Sequence, residues 1–219
     1  MIKSLLEAVA KAYSAFKQGY QKELDCGELF KNFTASLDET LGEYELKYDY
    51  LCGKDSVNID GISEGYVPNT GDTIIMDISV GKEGVWCDVC RTYFIGVVNE
   101  EQKTCYEMIY RSIKAGERVL KAGASACEIY KAVNIDYEKC GQTLIHHAGH
   151  RIGSEPLMQP QFLAEEPTPV EEGDLVTIES GSYVDFGIRL ENDYYIDKDG
   201  AENLFEDLMP LRIEEYILK

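Results

Sequence analysis

Four acidic residues occur in two pairs on apolar segments of the chain, where carboxylates are well placed to bind a metal ion. In each pair a glycine–aspartate step opens a predicted strand, an acid follows six residues after the glycine, and a second acid follows eleven or twelve residues later. Buried carboxylates this close together repel each other unless a cation lies between them or one of them binds a proton. The four acids are Asp77, Asp88, Glu179 and Glu191.

The first acid pair lies on a predicted hairpin from Thr73 to Phe94. A four-residue loop over 81–84 predicts that Asp77 lies directly opposite Asp88, on the same face, with Cβ atoms about 5 Å apart. The alternative is that both acids face water on an open sheet. The apolar residues on both sides of the acids favour burial, and therefore a cation site.

The three histidines of the chain all lie within the segment LIHHAGHRIG. A lone histidine is more often structural than functional, but three within five residues, flanked by Gly149 and Gly153, favour a role in a site. We expect His150 to be a metal ligand and His146 to contact the substrate or a ligand. His147 is expected to point elsewhere.

Three other features have simpler interpretations. Cys87 and Cys90 have CxxC spacing, but residues three apart on a strand point to opposite faces, so packing is the expected role. Pro156–Pro169 contains four of the six prolines and is predicted to be a loop beside the histidines. Tyr183 is expected in the core or at the rim of the site.

The elements that must position these residues form two similar halves. Apolar residues at helical spacing predict two helices before each acid pair, and a capping-box sequence opens the second helix of each half, at 25–28 and at 125–128. Alternation with a period of two predicts a strand over Tyr44–Cys52. The capping boxes lie 100 residues apart, and Gly71 and Gly173 lie 102 apart. We therefore expect a duplicated helix–helix–strand unit, with one acid pair in each copy.

Composition limits the classes of partner. The 219 residues carry a net charge of −19, which disfavours nucleic acid. The N-terminal segment reads as an amphipathic helix and not a signal peptide, and no apolar stretch is long enough to cross a membrane. The seven cysteines are odd in number and scattered, which indicates reduced thiols and a cytoplasmic location.

Four segments, in this order, resemble the creatinase, prolidase and methionine aminopeptidase family. GDTIIMDISVGKEGVWCDVCRTYFIG resembles the two-aspartate hairpin of the family, and HHAGHRIG resembles its HxxGHGxG segment. GDLVTIESGSY resembles its TIEPGxY strand, and GIRLEN resembles its GVRIED strand. The first of them resembles Xaa-Pro peptidases more than methionine aminopeptidases. The resemblance extends from about residue 40 to the end.

This resemblance implies an α+β pita-bread fold, with two helix–helix–strand halves around a curved, mostly antiparallel sheet. It implies one catalytic domain over residues 1–219, without the N-terminal domain of prolidases. A homodimer and a short peptide substrate are also implied.

The resemblance also implies roles for particular residues. Asp88 and Glu191 would bridge two divalent ions, Asp77 would bind one, and His150 and Glu179 the other. Water between the ions would attack the peptide carbonyl, and Glu179 would accept its proton as general base. The ligand set suits Mn²⁺, with Zn²⁺, Co²⁺ or Fe²⁺ as alternatives. The residues implied to contact substrate or ligands are His146, Arg189, Asp60 and Tyr183.

Two histidines of the family pattern are missing from this chain. Asp60 lies near the place of one, and Leu157 occupies the place of the other. Because such histidines help to stabilise the transition state, three functions stay open. The first is a metallopeptidase cleaving Xaa-Pro bonds. The others are a non-peptide hydrolase or lyase on the same metal site, and a catalytically silent peptide-binding homologue.

Overall fold

The computed structural model describes residues 2–219, so residue 1 of the predicted domain lies outside it. Four α-helices and nine strands make up its regular structure, with two short 3₁₀ turns. The helices are α1 (Ile2–Gln18), α2 (Cys26–Leu41), α3 (Glu100–Val119) and α4 (Ala126–Lys139). The strands are β1 (Glu45–Cys52), β2 (Thr73–Lys82), β3 (Val85–Ile95), β4 (His150–Ile152), β5 (Met158–Gln161), β6 (Leu175–Tyr183), β7 (Gly187–Ile196), β8 (Ala201–Asn203) and β9 (Ile217–Leu218).

All nine strands belong to one sheet with the order β1-β2-β3-β7-β6-β4-β5. Strand β8 adds to β7 by antiparallel pairing, and β9 adds to β3 by parallel pairing. Helices α1 and α2 pack on the β1–β3 half, and α3 and α4 pack on the β6–β7 half. Because both helix pairs bury the apolar side chains of one face, the acids on alternating positions lie on the other face.

The predicted duplication is visible in backbone geometry. Gly71 and Gly173 have φ angles of 97° and 93°, a left-handed conformation that favours glycine. Each donates its N–H to the last residue of its own hairpin, Ile95 or Ile196, at 2.9 and 2.8 Å. The two halves therefore begin their hairpins with the same turn.

The helix starts fit the predicted caps. Asp25 accepts the N–H of Glu28 at 2.9 Å, and Glu128 accepts both the N–H and the hydroxyl of Ser125. These contacts satisfy backbone donors that the first helical turn leaves free. The predicted helix starts at Asp25 and Ser125 are therefore confirmed in both halves.

The register of the first hairpin differs from the prediction. The turn is the two-residue step Glu83–Gly84, and both residues have positive φ. Asp77 pairs with Cys90, and Asp88 pairs with Ser79, so the two acids are diagonal neighbours on one face and not directly opposite. The prediction of direct opposition was wrong because the loop has two residues and not four, which shifts the register by two. In the second hairpin, Glu179 and Glu191 are direct partners.

Arg91 joins the two halves and the end of the chain. It is fully buried, and its five N–H groups all find oxygen acceptors. Two of these acceptors are the carbonyls of Cys90 and Glu191 on the strands that meet at the centre of the sheet. The full set is Tyr216 Oη at 3.0 Å, Cys90 O at 2.8 Å, Glu191 O at 2.6 Å, Asn192 Oδ1 at 2.6 Å and Met209 O at 2.5 Å.

The cysteines fit the packing interpretation. Cys87 lies in the core beneath α1 and α2, whereas Cys90 packs on the opposite face with Leu51 and Ile75. All seven cysteines are free. Over residues 2–219, no helix combines the length and the apolar character that crossing a bilayer requires.

Gly149 fixes the approach of the histidine segment to β6. Its φ is 136°, and an added Cβ would collide with the carbonyl oxygen of Thr177. Strand β6 holds the backbone on both sides, because Glu179 donates its N–H to Ala148 O at 3.1 Å and His150 donates its N–H to Thr177 Oγ1 at 3.2 Å. The close approach at Gly149 therefore places the histidines beside the acids of β6.

We expect Gly149→Ala to lower the unfolding midpoint more than Gly173→Ala. Gly173 also has positive φ, but an added Cβ there meets open space, so only the backbone conformation costs free energy, about 1–2 kcal/mol. The clash at Gly149 adds about 1–3 kcal/mol. Thermal unfolding of both variants against the parent protein measures this difference, and equal midpoints would contradict the close approach.

Candidate metal centre

Five of the predicted site residues meet at the centre of the sheet. The strands β3 and β7 carry Asp88 and Glu191, and their one paired position joins Cys90 to Glu191. His150 begins β4, which pairs with β6 and so reaches the same face. The sequence therefore brings both acid pairs and the histidine together, as expected from the duplication.

Asp88, His150 and Glu191 form the tightest group. Their candidate ligand atoms lie within 4.8 Å of one another, and all three side chains are buried. Nε2 of His150 is 3.7 Å from Asp88 Oδ2 and 3.6 Å from Glu191 Oε1. A nitrogen and several carboxylate oxygens at such spacing are donors that suit a divalent first-row metal ion.

Two oxygens of this group lack hydrogen-bond partners. Asp88 Oδ1 and Glu191 Oε1 are fully buried, and within the described residues neither accepts a hydrogen bond, since His150 Nε2 stays 3.6 Å from Glu191 Oε1. Buried polar atoms without partners are rare, and a bound ion is one explanation for them. The donor set and the unpartnered oxygens therefore fit a cation.

The pKa values of this group reflect the repulsion. Burial, and then the charges of Glu179 and Asp77, raise the pKa of Glu191 to about 7. Burial and the charge of Glu191 hold the pKa of Asp88 well above its usual range. Burial opposes protonation of His150, but the contact with Glu191 outweighs it and raises the pKa to about 9. Without a cation, the cluster retains protons that the unfolded chain would release.

We expect the metal-free protein to lose stability as pH rises from 6.5 to 9. The ordinary pKa values of Glu191 and His150 are 4.5 and 6.5, and both are raised in the folded chain to about 7 and about 9. The folded state therefore binds more protons than the unfolded state, so the free energy of unfolding falls as those protons leave. Unfolding midpoints after chelation measure the slope.

Saturation with Mn²⁺ is the matched control for this pH series. An ion among the carboxylates would stabilise their charged forms, so the slope between pH 6.5 and 9 should flatten. If the unfolding midpoint of the chelated protein stayed constant or rose over this range, the folded state would not bind more protons than the unfolded state.

Asp77 is held by Arg189, as the resemblance implied. The buried guanidinium donates to Asp77 Oδ2 and to the carbonyl of Ile59, and its Nε donates to Tyr183 Oη at 2.6 Å. A second acid, Asp49, lies 3.9 Å from the same guanidinium. Arg189 therefore fixes the Asp77 carboxylate, which lies outside the tight group, and neutralises part of its charge.

His146 is oriented by a chain of hydrogen bonds. Because Tyr183 accepts from Arg189, its hydroxyl is free to donate to His146 Nε2, 3.1 Å away. Nδ1 of His146 then donates to the carbonyl of His147 at 2.6 Å. Burial lowers the pKa of His146, which agrees with a neutral ring that accepts at one nitrogen and donates at the other.

His147 points into the site, contrary to the prediction. Its Nδ1 lies 2.7 Å from Glu179 Oε1, although the N–H bond does not point straight along the line between the two atoms. His146 Nδ1 lies 3.3 Å from Glu179 Oε2. The prediction failed because the backbone of Ala148 pairs with Glu179, which brings the preceding side chain alongside that acid.

Glu179 is therefore an acid between two imidazoles. Burial alone would raise its pKa, but the neighbouring His147 and His146 outweigh burial and lower it well below its usual range. A carboxylate in this position stays ionised across the neutral range and can bind a cation.

Sequence reasoning missed two polar residues near Asp88. Asp193 is fully buried, and its carboxylate oxygens accept the N–H of Asp88 at 3.0 and 3.2 Å. Ser79 is the direct cross-strand partner of Asp88 and lines the same cavity. Both could have been found from strand alternation, since Asp193 lies two residues after Glu191 and Ser79 two residues after Asp77.

The site opens into a cavity of about 380 Å³. Asp60 and Leu157, which stand near or in the places of the family's histidines, both line it, and the side chain of Leu157 is 47% exposed. Lys47 also lines the cavity and pairs with Glu155, with Nζ 2.6 Å from Oε2. Of the predicted loop over 156–169, Pro156 and Leu157 line the cavity, and Met158–Gln161 form the short strand β5.

Comparison with known proteins agrees with this architecture. The chain is 32% identical over 205 residues to an uncharacterised peptidase of Methanocaldococcus jannaschii, covering 83% of this chain and 58% of that protein. It is 30% identical over 138 residues to the Xaa-Pro dipeptidase of Pyrococcus furiosus, covering 61% of this chain and 40% of that one. The chain thus spans little more than half the length of the first of these relatives.

Solved structures show the fold. The prolidase from Pyrococcus furiosus superposes with a TM-score of 0.87 at 24% identity, covering 93% of this chain and 62% of the prolidase. The predicted α+β pita-bread fold, with two helix–helix–strand halves around a curved, mostly antiparallel sheet, is confirmed. Residues 2–198 match the model of metallopeptidase family M24, and the chain belongs to that family.

Proposed function

We propose that this chain is a dinuclear metal-dependent peptidase that hydrolyses short peptides at Xaa-Pro bonds. One observation carries the proposal. Four carboxylates and a histidine converge on one cavity, and two of the carboxylate oxygens are buried without a hydrogen-bond partner. Membership of a metallopeptidase family and the likeness to a protein named Xaa-Pro dipeptidase support the reaction type.

The proposed ligands divide between two positions. Asp88 and Glu191, which hold the unpartnered oxygens, would contact both ions. Asp77 would complete one position, and His150 and Glu179 the other. Divalent ions bound here would polarise the peptide carbonyl and lower the pKa of water, and the carboxylate-rich set favours Mn²⁺ over softer ions.

The remaining residues orient groups and move a proton. Glu179 is kept ionised by its imidazole neighbours and would accept the proton of the attacking water. Arg189 holds Asp77 in place, and Tyr183 holds the ring of His146. The neutral ring of His146 would lie against the substrate without competing for a metal ion.

The cavity sets a limit on substrate size and charge. A volume of about 380 Å³ suits a ligand of two or three residues. Asp49 and Asp60 line the cavity in addition to the proposed ligands, so a peptide amino group would find acidic acceptors there. The free cysteines fit action in a reducing compartment such as the cytoplasm.

A second candidate function is hydrolysis or elimination on a non-peptide substrate. Asp60 and Leu157, which both line the cavity, favour it. Asp60 lies near the place of one histidine of the family pattern, and Leu157 occupies the place of the other. A carboxylate and an alkyl group cannot supply the same hydrogen bonds to a peptide transition state as two imidazoles.

Incubation of the Mn²⁺-loaded protein with a panel of Xaa-Pro dipeptides and Xaa-Pro-Xaa tripeptides tests the proposal. We expect mass spectrometry to show release at the Xaa-Pro bond, and chelation to stop it. Matched peptides with alanine in place of proline measure the selectivity. A protein that holds the metal but cleaves no peptide would refute the peptidase proposal in favour of the second candidate.

A further inference from the structure

We propose that His147 is a positioning residue of the metal centre, which holds Glu179 through Nδ1 and leaves Oε2 of Glu179 for the ion. This inference rests on the metal centre of the proposed function. It concerns a histidine that the sequence pattern did not require and that the structure places against a proposed ligand.

The contact is specific to one atom of each residue. Nδ1 of His147 is fully buried and lies 2.7 Å from Glu179 Oε1, whereas about a fifth of the side chain is exposed. Since the buried nitrogen faces the acid, the exposed part is the remainder of the ring, on the cavity side. The N–H bond of Nδ1 does not point along the line to Oε1, so the structure shows a close contact between the two groups and not a formed hydrogen bond.

His146 cannot perform the same task. Its Nδ1 donates to a backbone carbonyl at 2.6 Å, and its Nε2 accepts from Tyr183. The contact between Nδ1 of His146 and Glu179 Oε2, at 3.3 Å, is therefore weaker and secondary. Oε2 is the oxygen of Glu179 with the weaker partner, and it is the one that an ion could take.

The geometry assigns His147 to support and not to ligation. The group whose ligand atoms converge within 4.8 Å consists of Asp88, His150 and Glu191, and His147 does not belong to it. The rings of His147 and His150 lie 5.3 Å apart and almost perpendicular, at 82°. Groups that orient a ligand commonly change metal affinity by about 10–100-fold when they are removed.

The test is calorimetric titration of metal-free protein with Mn²⁺, using three substitutions of one residue. His147→Asn keeps an N–H donor near the Nδ1 position, His147→Gln keeps one near the Nε2 position, and His147→Ala keeps neither. We expect Kd to rise about 10–100-fold for the alanine and glutamine variants. The asparagine variant should stay within a few-fold of the parent.

The other outcomes overturn the proposal in different ways. Equal affinity of all four proteins would show that His147 does not act on the centre. Equal losses in all three variants would indicate that Nε2 of His147 is itself a ligand. If the alanine variant does not fold, as judged by circular dichroism, the asparagine and glutamine pair decides. A parent protein that binds no Mn²⁺ would instead refute the proposed function and, with it, this inference.

Discussion

Glu179→Gln should lower kcat/KM for an Xaa-Pro dipeptide by about 100- to 10,000-fold, the range associated with loss of a general acid–base group. Glutamine keeps the size of the side chain but cannot accept the proton of the attacking water. It also removes the charge that pairs with His146 and His147. Steady-state rates, with the bound metal quantified in each sample, measure the effect.

Glu172→Gln is the control for this substitution, because Glu172 is exposed and lies outside the cavity. It makes the same change of charge and should leave the rate unaltered. A Glu179 variant that retained both its metal and full activity would rule out this acid as the proton acceptor, and the search would move to the other carboxylates of the cavity.

Asp88→Asn should make the protein more stable than the parent without metal and less stable than the parent with metal. Without metal at pH 8, the variant should unfold at a higher temperature than the parent, because one of two mutually repelling buried acids is gone. With metal, the order should invert. An ion at 100 times its Kd stabilises the parent by about 2.7 kcal/mol, whereas the variant has lost a proposed bridging ligand.

The two melting curves, with chelator and with Mn²⁺, measure this crossing. Asp185→Asn is the matched control, since Asp185 is exposed in the turn between β6 and β7 and should leave both curves unchanged. If the Asp88 variant gained as much stability from Mn²⁺ as the parent, Asp88 would not be a ligand.

The sequence predicted the parts of the fold that depend on local chemistry. The duplicated turns at Gly71 and Gly173 require a left-handed glycine, and each is followed by an apolar strand. The acids could be placed on one face because strand alternation has a fixed period of two. Which face is buried then followed from the apolar residues between them.

Details that depend on the exact length of a loop or on pairing between distant residues were harder to predict. The loop over 81–84 could close with two or four residues, and the choice decided whether Asp77 faced Asp88 or Cys90. His147 was misassigned for a different reason. Its direction depends on backbone pairing between Ala148 and Glu179, residues far apart in the chain that no local pattern connects.

The hydrogen bonds of Arg91 determine where the chain can be shortened. The match to the family model ends at residue 198, and a protein cut there would keep every proposed metal ligand. It would lose Met209 O and Tyr216 Oη, so two of the five guanidinium N–H groups would have no acceptor in the core. A buried donor left unsatisfied costs about 1–3 kcal/mol, and more when it is charged. Trimming for crystallisation or fusion should therefore spare the final segment, even though it carries none of the proposed chemistry.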